Sequence, residues 1–257
     1  MQILTEERLQ EIAPSIFTDH PIDSVSDRYT FVPTSKVIKD MANFGWYPVD
    51  AQEQKVYSKT KEARQGYQKH IIQFENPDVK SYSSDIVPRL LGTNSHDGLN
   101  SFKFQAGLFR FVCWNGLVVA DTTYNSFKIC HKDYTLSEIE KNIYAYVQDV
   151  PDTIKQVERY KSIELSKDEE YAFASEAIDL RWEEDAPVTV DNILNRQRQE
   201  DKTQDLWTVF NVVQENIINP NFSSPYSKRR VKKVTGINNQ IKINKELWML
   251  MAQWATR

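Results

Sequence analysis

The sequence predicts an α+β protein, with a sheet-rich N-terminal half that holds an early helix and a helical C-terminal half. Three observations carry this prediction. Phe102, Phe104, Ala106 and Leu108 alternate with Ser101, Lys103, Gln105 and Gly107, the period of a strand with one wet face. Asn115-Gly116 interrupts an apolar, β-branched run, "GLFRFVCWNGLVVADTTY", as hairpin turns do. Beyond residue 134 the spacing changes to threes and fours through Ile139, Ile143, Tyr146, Val150, Ile154 and Val157, one face of a helix. The change of character sets a strand-rich α+β core over residues 1–133 and a helical region over 134–257, packed on the core as one unit.

Taken in order, a helix is expected over residues 5–13, with Thr5 as cap, Glu6 and Glu7 at its positive end and Pro14 after it. In "RYTFVPTSKVIKDMANFGWYPV" a short strand leads into a helix from Thr34 to Phe44. Val37, Ile38, Met41 and Phe44 share one helical face, and Gly45 supplies the left-handed stop. Strands follow over 46–57 and 67–75, joined by a basic loop ending in Gly66. After the alternating strand and the Asn-Gly hairpin, Thr135 or Ser137 caps the long helix, which Pro151 bends. Further helices are expected over 166–182, 188–199, 203–218 and 244–255. A Pro-, Ser- and Asn-rich connector covers 219–242.

Composition bounds the function. Six Trp, twelve Tyr and twelve Phe in 257 residues make a chain that packs a core. Apolar runs are too short for a membrane span and "MQILTEERLQEIAPS" has no secretory layout, so a cytoplasmic protein is expected, with no membrane partner. Two cysteines, Cys113 and Cys130, suit a reducing compartment as small buried residues. The net charge of -4 excludes coating of duplex nucleic acid by bulk charge, but the charge is uneven. Residues 55–69 carry five Lys or Arg against one Glu, and residues 226–233 carry five against none. Residues 164–185 hold nine acids against two bases.

Seven scattered glycines form neither a P-loop nor a dinucleotide fingerprint, and there is no GxSxG or HExxH. No cofactor is expected. His96-Asp97 could pair as base and orienting carboxylate, yet "NSHDG" is turn chemistry throughout, and a turn is the preferred reading. His96, Cys113, Cys130 and His131 have ligand types that suit zinc but lack its usual spacings, so no metal is expected. Asp168, Glu169, Glu170, Glu183, Glu184 and Asp185 read as a solvated helix face or as a surface for a basic partner protein.

The basic stretches point furthest. Lys55, Lys59, Lys61, Arg64 and Lys69 interleave with Tyr57 and Tyr67; Lys228, Arg229, Arg230, Lys232 and Lys233 follow Tyr226. Cations for phosphates and rings for bases are what sequence-tolerant binding of a single strand requires.

"TNSHDGLNSFKFQAGLFRFVCWNGLVV" resembles the signature of a phage/plasmid-like protein family catalogued as a domain of unknown function (DUF932-like). "FVPTSKVIKDMANFGWYPV" and "NKELWMLMAQWA" resemble its early segment and closing helix. The resemblance implies a mobile-element gene product in the cytoplasm of a bacterial host cell and supplies no catalytic residues. "YTFVPTSKVIKDMANFGW" is also similar to the opening of phage single-strand annealing proteins, whose strand-rich core carries a basic groove for one DNA strand. A non-catalytic phage or mobile-element protein that binds single-stranded nucleic acid, for annealing or recombination, is the expected function. Assembly into a homo-oligomer would accompany cooperative binding. The alternatives are a module that binds and inhibits a host defence complex through residues 164–185, and a hydrolase built on His96 and Asp97.

Overall fold

The computed structural model describes residues 2–26, 29–56, 63–79, 86–100, 102–110, 127–128, 135–182 and 185–257; of residues 105–110 and 127–128 it describes the backbone alone. The architecture is α+β. Contacts divide the chain into two compact units, one of Met1–Leu108 with Tyr124–Val150, the other of Pro151–Arg257 with Phe109–Thr123.

The first unit is organised by a sheet in the order β1 (Tyr47–Glu53), β2 (His70–Glu75), β3 (Ile86–Asn94), β4 (Lys103–Arg110) and β5 (Phe127–Lys128). β1 runs antiparallel to β2, β2 to β3, and β4 to β5. A register shift between Pro48 and Asp50 marks a bulge in β1. Two helices, α1 (Glu6–Ile12) and α2 (Thr34–Asn43), contact β1. Thr5 caps α1 by accepting from the Arg8 N–H, and Gly45 ends α2 at φ 76°. Every residue of β2 is buried, so its sequence, "HIIQFE", must place His70, Gln73 and Glu75 among apolar neighbours. Phe102 and Phe104 are buried while Lys103 between them is exposed, as the alternation predicts. Gly92 lies where the rings of Phe74 and Phe104 converge; a Cβ there would stand 3.2 Å from Phe74.

Three buried polar side chains of this interior meet at one hydroxyl. Thr34, in the first turn of α2, has its Oγ1 2.8 Å from His70 Nε2, 3.3 Å from His96 Nε2 and 3.0 Å from Asn94 Nδ2. The tautomers follow from donor arithmetic. His70 Nδ1 lies 3.2 Å from the Gln68 carbonyl, which can only accept, so the Nδ1 carries the proton and also serves Ser15 Oγ at 2.8 Å. His70 Nε2 then accepts from Thr34, whose lone pairs take the N–H groups of Asn94 and His96. One hydroxyl thus meets its full capacity of one donation and two acceptances.

The second unit is helical. α3 (Leu136–Lys161) runs through Pro151 and ends in this unit, followed by α4 (Lys167–Arg181), α5 (Val190–Ile193), α6 (Leu206–Ile218) and α7 (Ile237–Trp254). α6, "LWTVFNVVQENII", is apolar on most sides and twelve of its residues are buried, which makes it the central helix. It contacts α4, α5 and α7. Trp207 and Phe210 of α6 meet Trp248 of α7, which also meets Tyr160 of α3. The polar residues of α6 are matched in pairs: Gln214 donates to Asn244, and Asn216 to the Ile193 and Asn195 carbonyls.

Several elements differ from the sequence expectation. Residues 29–33 form no strand, and β3, "IVPRLLGTN", was not expected because Pro88, Gly92 and Asn94 interrupt its pattern. The helix expected over 188–199 is the single turn Val190–Ile193, with a 3-10 turn at Gln199–Asp201. α7 begins at Ile237, so the connector is shorter than expected. β1 and β2 are shorter than the strands expected over 46–57 and 67–75. Asn115-Gly116 lies outside the described residues.

Burial first, and the charge of His96 second, push the His70 imidazole down to about 3, against the opposing Gln68 carbonyl. An unfolded His titrates near about 6.5, so between these values the unfolded chain binds a proton that the folded chain refuses. The stability contributed is complete above about pH 6.5 and falls by up to about 1.4 kcal/mol per unit as pH drops toward about 3. Urea midpoints from pH 7 to pH 5 check this: His70→Asn is expected to flatten the decline, and an unchanged slope would contradict it.

Candidate nucleic-acid interface

In the first unit, the basic residues gather at one end of the sheet. β1 leaves the sheet where β2 enters it: Glu53 pairs with His70, and the Gln54 N–H donates to the Lys69 carbonyl at 2.8 Å. Lys55, exposed, and Lys69, half-buried, therefore stand at the same edge. His70 pairs with Asn94, so β3 also ends here and runs into the "SHDG" turn. Lys103 opens β4 at this end, and its Cα pairs with that of Lys128 in β5. Burial, and next the neighbouring charge of Lys103, hold the Lys69 ammonium below its ordinary value, while Asp97 opposes them. The sheet thus adds Lys103 to the first basic segment, 34 positions along the chain from Lys69. The sequence signal was its place on the polar side of an alternating strand.

The last residues before Lys69 are held by hydrogen bonds. The Tyr67 N–H donates to the Arg64 carbonyl at 3.0 Å, Gly66 between them has φ 92°, and Thr18 Oγ1 donates to the Gly66 carbonyl at 2.5 Å. Tyr67 does not offer a free ring for stacking. Its hydroxyl lies 2.8 Å from His20 Nε2, and the two rings meet edge-on with centroids 5.6 Å apart. Tyr57, Lys59 and Lys61 lie outside the described residues.

The "NSHDG" stretch has turn geometry. Asp97 Oδ1 accepts from Ser95 Oγ at 2.7 Å and from the Leu99 N–H at 3.1 Å, and Gly98 has φ 74°. A Cβ on Gly98 would lie 2.8 Å from Val25. His96 is fully buried against Thr34, while its backbone accepts from the Ile22 N–H and donates to the Tyr67 carbonyl, both at 3.0 Å. Its role in this geometry is to tie three segments together. Cys113, Cys130 and His131 lie outside the described residues, among which no cluster of His, Cys, Asp or Glu could hold a metal ion.

The second basic segment belongs to the second unit and forms a tight, raised turn. Ser223 pairs with Arg230, the Ser224 N–H donates to the Arg229 carbonyl at 2.8 Å, and the Val231 N–H donates to the Phe222 carbonyl at 3.2 Å. Buried Ser224 organises the tip: its Oγ accepts from the Tyr226 and Ser227 N–H groups at 3.3 and 3.4 Å. Tyr226, 72% exposed, caps the turn, followed by exposed Lys228, Arg229, Arg230, Lys232 and Lys233. Arg230 also donates to Asn221 at 2.6 Å.

The base of this turn is held by α4 and α6. Arg181 donates to the Ile217 carbonyl at the end of α6 and to the Lys232 carbonyl, and its guanidinium stacks over Trp182 at 4.2 Å. Burial lowers Arg181 to about 10, so it remains charged at neutral pH. Val231 and Val234 are buried, and the Val234 N–H donates to the Ile218 carbonyl at 2.9 Å. Arginine chemistry here spends one cation on anchoring and leaves the five that follow Tyr226 to face solvent.

The acidic stretch has internal tasks. Glu169 closes a capping box with Ser166, Asp168 stands in the same first turn, and buried Glu170 pairs with Arg196 at 2.8 Å. Asp185 has φ 56°, and Glu183 and Glu184 lie outside the described residues.

A family model described as "Domain of unknown function (DUF932)" matches residues 21–248. The chain is 30% identical over 251 residues to "UPF0380 protein YafZ" of Escherichia coli (strain K12), covering 96% of this chain and 90% of that protein. The same identity and coverage relate it to "UPF0380 protein YfjQ" of the same strain. No solved structure matches the chain.

Replacing Ser224 by Ala removes the acceptor that closes the tip. A loss of about 1 kcal/mol in stability is expected, with faster amide exchange at Tyr226 and Ser227; unchanged exchange there would show that the backbone holds the turn by itself.

Proposed function

We propose that this chain, which belongs to the DUF932 family, binds single-stranded nucleic acid through the lysine-lined end of its sheet and the basic turn that carries Tyr226. The observation that supports the reading best is the nearness of Lys69 to Lys103, itself opposite Lys128. Lys103 and Lys128 are Cα partners on neighbouring strands, where like charges are destabilising, and a phosphodiester placed there would relieve that repulsion. In the second unit, Tyr226 stands raised from the surface with cations on its C-terminal side, the pairing of base platform and phosphate contact that single strands require. Annealing or recombination of strands on a mobile element is the use we assign to this binding. Binding of a host protein through residues 164–185 has less support, since Glu169 and Glu170 are engaged within their own unit.

The test is retention of a labelled single-stranded oligonucleotide across a salt series. Contact with about five phosphates gives a logarithmic salt slope of about -3.5, and replacing Lys69 and Lys103 by Gln is expected to reduce its magnitude by about 1.4. Tyr226→Ala is expected to cost about 1–3 kcal/mol of binding with little change in slope. A flat salt dependence of the unaltered protein would overturn the reading.

A further inference from the structure

The histidine singled out by sequence, His96, is buried in scaffold, while His20 carries the arrangement of a proton relay. His20 Nδ1 lies 2.6 Å from Asp19 Oδ1, and His20 Nε2 lies 2.8 Å from the Tyr67 hydroxyl. A carboxylate at Nδ1 fixes the proton there, which leaves Nε2 as the acceptor facing Tyr67. This is the order of groups that activates a hydroxyl nucleophile: nucleophile, base, orienting carboxylate. The Asp19 carboxyl is held below its ordinary value, chiefly by its hydrogen bond with His20, so it is ionised at neutral pH. All three side chains reach solvent, His20 and Asp19 being 62% and 91% exposed.

Although 47 positions separate His20 from Tyr67, the backbone holds them in register. Thr18 Oγ1 donates to the Gly66 carbonyl, on one side of the pair. On the other, the Ile22 N–H donates to the His96 carbonyl and the His96 N–H to the Tyr67 carbonyl. The segments carrying His20 and Tyr67 are therefore stapled above and below the relay. Tyr67 also follows Arg64 by one turn and precedes Lys69 by two residues, so it shares its stretch of backbone with cations assigned to phosphate.

We infer that Tyr67 is the nucleophile of a phosphodiester-transfer site, with His20 as its general base and Asp19 orienting the imidazole, acting on the single strand held at the sheet end. This rests on the nucleic-acid reading of the first unit. In the step, Tyr67 Oη bonds to phosphorus as its proton passes to His20 Nε2. The phosphorus–oxygen bond to the leaving sugar breaks, and the imidazolium returns that proton to the departing alkoxide. The products are a phosphotyrosyl protein and a strand with a free hydroxyl. Attack by that hydroxyl, or by one from another strand, reverses the step and rejoins the chain, so no oxidant or other co-reactant is consumed.

The experiment incubates the full chain with a randomised pool of single-stranded oligonucleotides, labelled at the 5′ end in one preparation and at the 3′ end in another. Each is quenched in detergent and scored for label that migrates with the protein. Transfer from one of the two preparations, mapped by mass spectrometry to Tyr67, is the expected result. Tyr67→Phe, which keeps the ring, is expected to abolish it, and His20→Gln to slow it about 10²- to 10⁴-fold. Asp19→Asn is expected to lower the rate at saturating oligonucleotide more than it raises the concentration giving half that rate, a split that a merely structural role would not produce. Thermal melting of each variant confirms folding. Retention of the pool by the unaltered protein without covalent label, or label that survives in Tyr67→Phe, overturns the transfer site and leaves the binding reading standing. Absence of retention overturns both.

Discussion

The first unit depends on one saturated hydroxyl. Thr34 stands at the beginning of α2, where a threonine would ordinarily be a weak helix former, and its Oγ1 is shared by His70 of β2, Asn94 of β3 and His96 of the following turn. Each of those groups is buried, and each would carry a desolvation cost without a partner. Because the hydroxyl has one proton to give and two lone pairs to fill, the arrangement admits a single distribution of protons among the three. Helix, sheet and turn are thereby locked into one relation, and the sheet end with its lysines inherits that relation through the backbone of His96.

The same reasoning separates what was legible in the sequence from what was not. Periodicity found α2, the alternating strand and α3, because each buries one face and leaves the other wet. Caps were readable where a small polar side chain preceded acids, as at Thr5. β3 was illegible since Pro88 and Gly92 look like breakers, whereas Gly92 is required by the close approach of two phenylalanines. α5 was overestimated because "VDNILNRQRQE" has helix-forming residues, while Asn195 and Arg198 are drawn away to Asn216 and Glu215 of a neighbouring helix. Of the candidate site, the exposed turn after Tyr226 was visible as composition. The relation of Lys69 to Lys103, and of His20 to Tyr67, depended on strand register and on backbone bonds between distant segments.

The second unit uses its charges in a different way. Its arginines near the core, Arg181, Arg196 and Arg198, are each bound to carbonyls or carboxylates and serve as braces between helices. Its lysines and arginines after Tyr226 are exposed on a turn closed by backbone bonds and the Ser224 hydroxyl, with Arg230 alone among them also bonded to Asn221. Helix α6 makes this division workable: its nearly continuous apolar surface provides the cohesion, and its end gives Arg181 and Val234 fixed carbonyls on which the turn is mounted.

Lys228 carries a price that glycine would have avoided. At φ 54° it occupies the left-handed region, which costs a side-chain-bearing residue roughly 1–2 kcal/mol. Glycine is the economical choice at such a corner, and asparagine the next. A lysine there leaves an exposed, charged side chain at the corner, two residues after Tyr226. Conformational strain of that kind persists where surrounding bonds hold the residue in place, and here the Lys228 N–H donates to the Ser224 carbonyl at 2.9 Å, so the corner is the point at which the turn closes on itself.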